Sequence, residues 1–118
     1  MPVIEVEGKK IELDNEGYLV NFEDWNEKVA CALADMEGVS KTCPITNERM
    51  EILKFIRGYY KKLNAFPIPT AVCRNLHQPS QCVVEKFLEP IKAWKIAGLP
   101  KPTDYIIEYI KSECTPGG

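Results

Sequence analysis

Thr46-Asn47-Glu48-Arg49-Met50-Glu51-Ile52-Leu53-Lys54-Phe55-Ile56-Arg57-Gly58-Tyr59-Tyr60-Lys61-Lys62-Leu63 is the stretch on which the fold turns. Met50, Leu53, Ile56, Tyr60 and Leu63 recur at the spacing of one helix face, and Phe55 and Tyr59 widen that stripe. Thr46 is placed to cap the first turn, with Ile45 and Met50 as a hydrophobic staple. Asn64 closes the helix. A long amphipathic helix with one apolar face must bury that face against other elements, so the flanking sequence should supply them.

Upstream, Val3-Ile4-Glu5-Val6-Glu7 and Lys10-Ile11-Glu12-Leu13 alternate apolar and charged side chains about Gly8-Lys9. Period two on both sides of a glycine turn predicts a β-hairpin. Asp14-Asn15-Glu16-Gly17 is a second turn, and Tyr18-Leu19-Val20 is a candidate third strand. Asn21 then reads as a helix cap, with Glu23 and Asp24 in the first turn. Trp25, Val29, Leu33 and Met36 follow at helical spacing, and Gly38 ends the run.

Downstream, Phe66-Pro67-Ile68-Pro69 is a stiff connector. Thr70 opens a short helix reaching about His77, with Val72, Cys73 and Leu76 inward. Ser80 caps another helix carrying Val83, Val84, Phe87 and Leu88. Pro90 starts a third, with Ile91, Trp94 and Ile96, and Gly98 ends it as a C′ glycine. In residues 104–113, Ile106, Ile107 and Ile110 share one side of a helix, although the β-branched and aromatic content also suits a strand. The expected fold is α+β and predominantly helical. A small N-terminal β-hairpin packs on an orthogonal bundle of five to six helices. A helix-turn-helix-like pair spans 70–89, and a C-terminal arm follows. Residues 1–103 read as one domain and 104–118 as an arm or extension.

The chain has 118 residues, enough for one modest core, and 15 basic against 17 acidic side chains. That balance argues against a nucleic-acid binder, which needs a basic stripe. No signal-peptide pattern and no apolar run of spanning length occurs, so the expected location is cytoplasmic, away from membranes. Cys31, Cys43, Cys73, Cys82 and Cys114 form no C-x-x-C pair, and the first four are expected to be buried or half-buried free thiols. One histidine, His77, offers little metal or catalytic chemistry. Neither a metal site nor a cofactor is expected.

Lys95-Ile96-Ala97-Gly98-Leu99-Pro100-Lys101-Pro102-Thr103 ends an apolar helix at a glycine and leaves through two prolines. That segment resembles the arm of the DsrC/TusE sulfur-relay family, which includes the gamma subunit of dissimilatory sulfite reductase. The resemblance extends to Leu13-Asp14-Asn15-Glu16-Gly17-Tyr18-Leu19, to Asp24-Trp25-Asn26-Glu27-Lys28-Val29-Ala30, and to Ile45-Thr46-Asn47-Glu48 with Ile52 through Tyr60. In the family, one cysteine precedes the Lys-Ile-Ala-Gly run and another follows the Pro-Thr. Here Trp94 and Tyr105 stand in those places. The family's arginine after its paired prolines is absent at Thr70, and its glycine-containing loop before the last helix is reduced to Leu88-Glu89-Pro90.

A sulfur carrier needs a thiolate that attacks or accepts a persulfide, and neither an indole nor a phenol does this. The resemblance therefore implies a non-catalytic, partner-docking or regulatory protein. Its partner would be a sulfite-reductase-like or sulfurtransferase-like complex. The contact surface would run through Lys95, Gly98, Leu99, Pro100, Lys101, Pro102 and Thr103. As a first alternative, Cys114 serves as a displaced persulfide carrier, although the neighbouring Glu113 raises rather than lowers a thiol pKa. As a second, the helix pair 70–89 binds DNA. Gln81, Glu85, Lys86 and Glu89 make that second helix too acidic for phosphate, which favours an architectural role.

Overall fold

Alternation at the N-terminus becomes a two-stranded antiparallel hairpin in the computed structural model, which describes residues 2–113. Strand β1 (Val3–Val6) pairs with β2 (Lys9–Glu12) in the register Val3↔Glu12 through Val6↔Lys9. Glu7 and Gly8 form the turn, both at positive φ (51° and 81°), which matches the right-handed twist of the strands. The turn thus lies one residue earlier than the sequence suggests. Tyr18-Leu19-Val20 forms no third strand; a single bridge, Leu13↔Leu19, is all that pairs there.

The first helix begins later than expected. Asn21 caps only a 3-10 turn, Phe22–Asp24, and the chain extends again at Trp25. Asn26 then caps α1 (Glu27–Met36), its side chain accepting from the Val29 N–H at 2.9 Å. Two successive asparagines of capping type compete, and the second starts the true helix because Val29, Ala30, Leu33 and Ala34 bury one face from there on. Helix α2 (Asn47–Leu63) follows its sequence boundaries, with Met50, Ile52, Leu53 and Ile56 buried. Thr46 precedes it without a side-chain cap bond, and Asn64 ends it in the left-handed conformation.

Helices α3 (Pro69–Asn75), α4 (Cys82–Phe87) and α5 (Pro90–Ile96) are short, and α6 (Asp104–Glu113) is helical rather than extended. Proline starts α3 and α5, where its missing N–H costs no helical bond. Helix α4 begins two residues after the expected Ser80 cap. The core gathers Leu33, Ile52, Leu53, Ile56, Phe87, Trp94 and Leu99 between α1, α2 and α5, with the hairpin contributing Ile11. No helix among the described residues is long and apolar enough to cross a membrane.

The expectation of free thiols is overturned. Cys31–Cys43 bridges α1 to the loop before α2, with Cα atoms 5.7 Å apart, and Cys73–Cys82 bridges α3 to α4 at 5.8 Å. Neither spacing is a recognisable motif. The loop after α1 brings Cys43 back to Cys31 in mid-helix, and the turn between α3 and α4 brings Cys82 to Cys73; Cα separations near 6 Å then allow the bonds.

Candidate functional site

The arm root is built by the end of α5. Gly98, at φ 79°, donates to the Lys95 carbonyl at 3.0 Å, and Leu99 donates to the Trp94 carbonyl at 3.2 Å. This is a Schellman closure, and its left-handed residue favours glycine. Space demands glycine as well: a Cβ there would lie 2.7 Å from Trp25 Cδ1 and 2.9 Å from Arg57 Nη1.

Those two side chains hold the root. Trp25 Nε1 donates to the Ile96 carbonyl and Arg57 Nη1 to the Ala97 carbonyl, each at 2.9 Å. Arg57 Nη2 donates to the Phe22 carbonyl at 2.9 Å. The guanidinium also sits 3.9 Å from the Phe22 ring centre and 4.6 Å from that of Trp25. Burial pushes the Arg57 pKa down and Glu23 pushes part of it back; an arginine keeps its charge regardless. The last carbonyls of α5, which have no partner inside the helix, are thus paired to a cation and an indole.

A second set of charges brackets the same segment. Lys95 Nζ lies 3.4 Å from Glu37 Oε2 and 4.8 Å from the Tyr18 ring centre. Lys92 donates to the Glu37 carbonyl at 2.7 Å. Lys101 pairs with Glu16 at 2.9 Å, a hydrogen bond that raises the lysine pKa. Burial, with Glu16, Asp14, Glu37 and Glu89 around it, pushes the Tyr18 hydroxyl up to about 12.

Burial divides the segment read as a docking surface. Gly98, Leu99 and Pro102 are buried, Lys95 is half-buried, and Pro100, Lys101 and Thr103 are exposed. Thr103 caps α6, its Oγ1 accepting from the Ile106 N–H at 3.3 Å. Helix α6 lies against α5 and α3, with Ile110 buried and Ile106 and Ile107 packed on the core. Through residue 113 the arm is therefore folded onto the body.

Trp94 and Tyr105, at the positions the resemblance gives to thiols, have opposite environments. Trp94 is wholly buried, and its indole N–H has no hydrogen-bond partner among the described residues. Tyr105 is 77% exposed on the first turn of α6. Cys114 lies outside the described residues. The two disulfides take the other four of the five cysteines. In the 70–89 pair, α4 buries Cys82, Val83 and Phe87, and its Lys86 is tied to Glu48 of α2 at 2.8 Å. The six-residue α4 is consumed by packing and turns Glu85 outward, as an architectural element would.

Trp25 and Arg57 are residues that the sequence alone does not single out. By spacing, Trp25 reads as a core-helix residue and Arg57 as part of a short basic cluster. The available signal is position: Arg57 directly follows buried Ile56 on an amphipathic helix, where a cation needs a specific partner.

Three comparisons bear on these features. The family model described as DsrC like protein matches residues 5–106. The Sulfurtransferase TusE of Yersinia pestis is 35% identical over 113 residues, covering 88% of this chain and all of the relative. The oxidised gamma-subunit of dissimilatory sulfite reductase (DsrC) from Archaeoglobus fulgidus superposes with a TM-score of 0.72 at 38% identity, covering 86% of this chain and 97% of that one. A chain of dissimilatory sulfite reductase I gives 0.75 at 31%, with coverage of 86% and 97%.

Proposed function

The chain belongs to the DsrC/TusE sulfur-relay family, and from that membership we propose that it carries sulfur as a persulfide on Cys114 while docked to a sulfurtransferase-like or sulfite-reductase-like protein. The observation that carries this reading is the cysteine pairing. Cys31–Cys43 and Cys73–Cys82 occupy four sulfurs, which leaves Cys114 for nucleophilic chemistry. Relatives that match over their whole length are named sulfurtransferases, which also favours a carrier over a pure docking protein.

In the step proposed, the Cys114 thiolate attacks the outer sulfur of a donor persulfide. The donor S–S bond breaks, a new S–S bond forms on Cys114, and the donor leaves as a thiolate with no net oxidation. The exposed arm residues Pro100, Lys101 and Thr103, with Tyr105, supply the contact to the partner. The setting proposed is the cytoplasm, and the reading requires that Cys31–Cys43 and Cys73–Cys82 persist in that reducing compartment.

The 77% exposure of Tyr105 favours a second reading, docking without cargo. A phenol at the position of a family thiol keeps the contact and forfeits the transfer. Intact-mass measurement after incubation with a persulfide donor, under non-reducing conditions, separates the two. A gain of one sulfur atom that Cys114→Ser abolishes supports the carrier. No gain removes it, and retention of the partner by both forms then leaves docking alone.

A further inference from the structure

The turn between α3 and α4 holds a feature that sulfur relay does not use. Thr70, Arg74, Gln78 and Ser80 line a cleft of about 330 Å³. Thr70 and Arg74 stand four residues apart on α3 and so share one face. Arg74 is exposed, and its guanidinium makes no hydrogen bond or ion pair among the described residues. The hydroxyls of Thr70 and Ser80 are likewise unengaged there. Gln78 is held loosely: its Nε2 reaches the Glu48 carbonyl at only 3.4 Å, and its Oε1 has no partner among the described residues. The amide nitrogen carries a second hydrogen that the Glu48 carbonyl does not use.

Among the described residues no carboxylate lines this cleft, and the Glu48 side chain close by is already engaged with Lys86. The cleft is also braced. Cys73–Cys82 closes the segment that carries Arg74, Gln78 and Ser80, and both cysteines are fully buried. A braced loop keeps its donors in place at little further entropic cost on binding.

We propose that the α3–α4 cleft binds a small tetrahedral oxyanion, with Arg74 as its charge anchor and Thr70, Ser80 and Gln78 as hydrogen-bond donors. A guanidinium matches two oxygens of such an ion at once, and hydroxyls and an amide N–H suit the remaining oxygens. Phosphate and the oxyanions of sulfur share this chemistry. The site stands independently of whether Cys114 carries sulfur.

The test is an amide NMR titration of the full chain with phosphate, sulfate and thiosulfate in separate arms, at ionic strength held constant with chloride. Saturable shifts confined to Thr70, Arg74, Gln78, Ser80 and their neighbours are expected, and the arm that saturates at the lowest concentration names the source. Arg74→Gln should weaken binding by about tenfold or more. Unchanged amide shifts in α1 and α5 of the variant establish that it is folded. Shifts that grow linearly without saturating, or equal binding by Arg74→Gln, overturn the proposal.

Discussion

Arg57 Nη1 donates to the Ala97 carbonyl at 2.9 Å, joining the middle of α2 to the residue from which the arm departs. The bond runs from a charged donor to a carbonyl at a helix end, where partial negative charge collects. One side chain thereby couples the longest helix to the direction of the arm.

Arg57→Met should loosen that coupling. Two charge-assisted hydrogen bonds disappear and two carbonyls lose their donor, a cost of about 2–4 kcal/mol. Thermal unfolding should shift down, and limited proteolysis should cut near residues 99–104 sooner than in the parent. Gly98→Ala strikes the same contact from the other side, since its Cβ would meet Trp25 and Arg57 below 3.0 Å at a positive φ. Equal stability and equal cleavage rates in both variants would show that the anchor does nothing.

Trp94 fills the core but leaves its N–H without a partner among the described residues, a burden of about 1–3 kcal/mol. Phenylalanine removes that N–H along with some volume, so Trp94→Phe should change stability by less than about 1.5 kcal/mol. Trp94→Ala opens a cavity and should cost about 3–5 kcal/mol. Urea unfolding of the two variants checks the contrast.

Tyr18 gives a stability that depends on alkaline pH. Its hydroxyl ionises near 10.0 when free in water and near 12 in the fold, so the folded form resists losing the proton. The contribution is intact below pH 10 and declines as pH rises toward 12. Urea midpoints followed across that window should fall less steeply in Tyr18→Phe than in the parent.

Leu88 ends α4 at φ 72° and ψ −43°, with its side chain 58% exposed. A β-carbon there is strained, and its exposed side chain contributes little packing in return. Leu88→Gly should stabilise the chain by about 1 kcal/mol, raising the melting temperature. A lower melting temperature would mean that the leucine packs better than its exposure indicates.

The two disulfides should open in order. Cys43 is exposed and Cys31 half-buried, whereas Cys73 and Cys82 are fully buried. Mild reductant followed by alkylation and peptide mass mapping should label Cys31 and Cys43 first. Cys73 and Cys82 should stay unlabelled until the chain unfolds.

Much of the fold is legible in the sequence because its signals are local. The stripe Met50, Leu53 and Ile56 and the closing Asn64 set α2 directly, since a helix is defined by residues within a few positions of one another. The start of α1 escapes such a reading because Asn21 and Asn26 both have cap chemistry, and only burial beyond Asn26 chooses between them. The cysteine pairing escapes it because bridging depends on the approach of two side chains, which no spacing in this chain announces.

By itself, the order of residues determined the hairpin, helix α2, the glycine stop at Gly98 and the lack of a thiol at positions 94 and 105. Those are matters of chemical identity and short-range period. Only the folded chain decided that Arg57 and Trp25 grip the arm root, that four cysteines pair, and that Trp94 is sealed while Tyr105 faces solvent. Such outcomes need contacts between residues well separated along the chain, and it is the packing of helices, not their formation, that creates them.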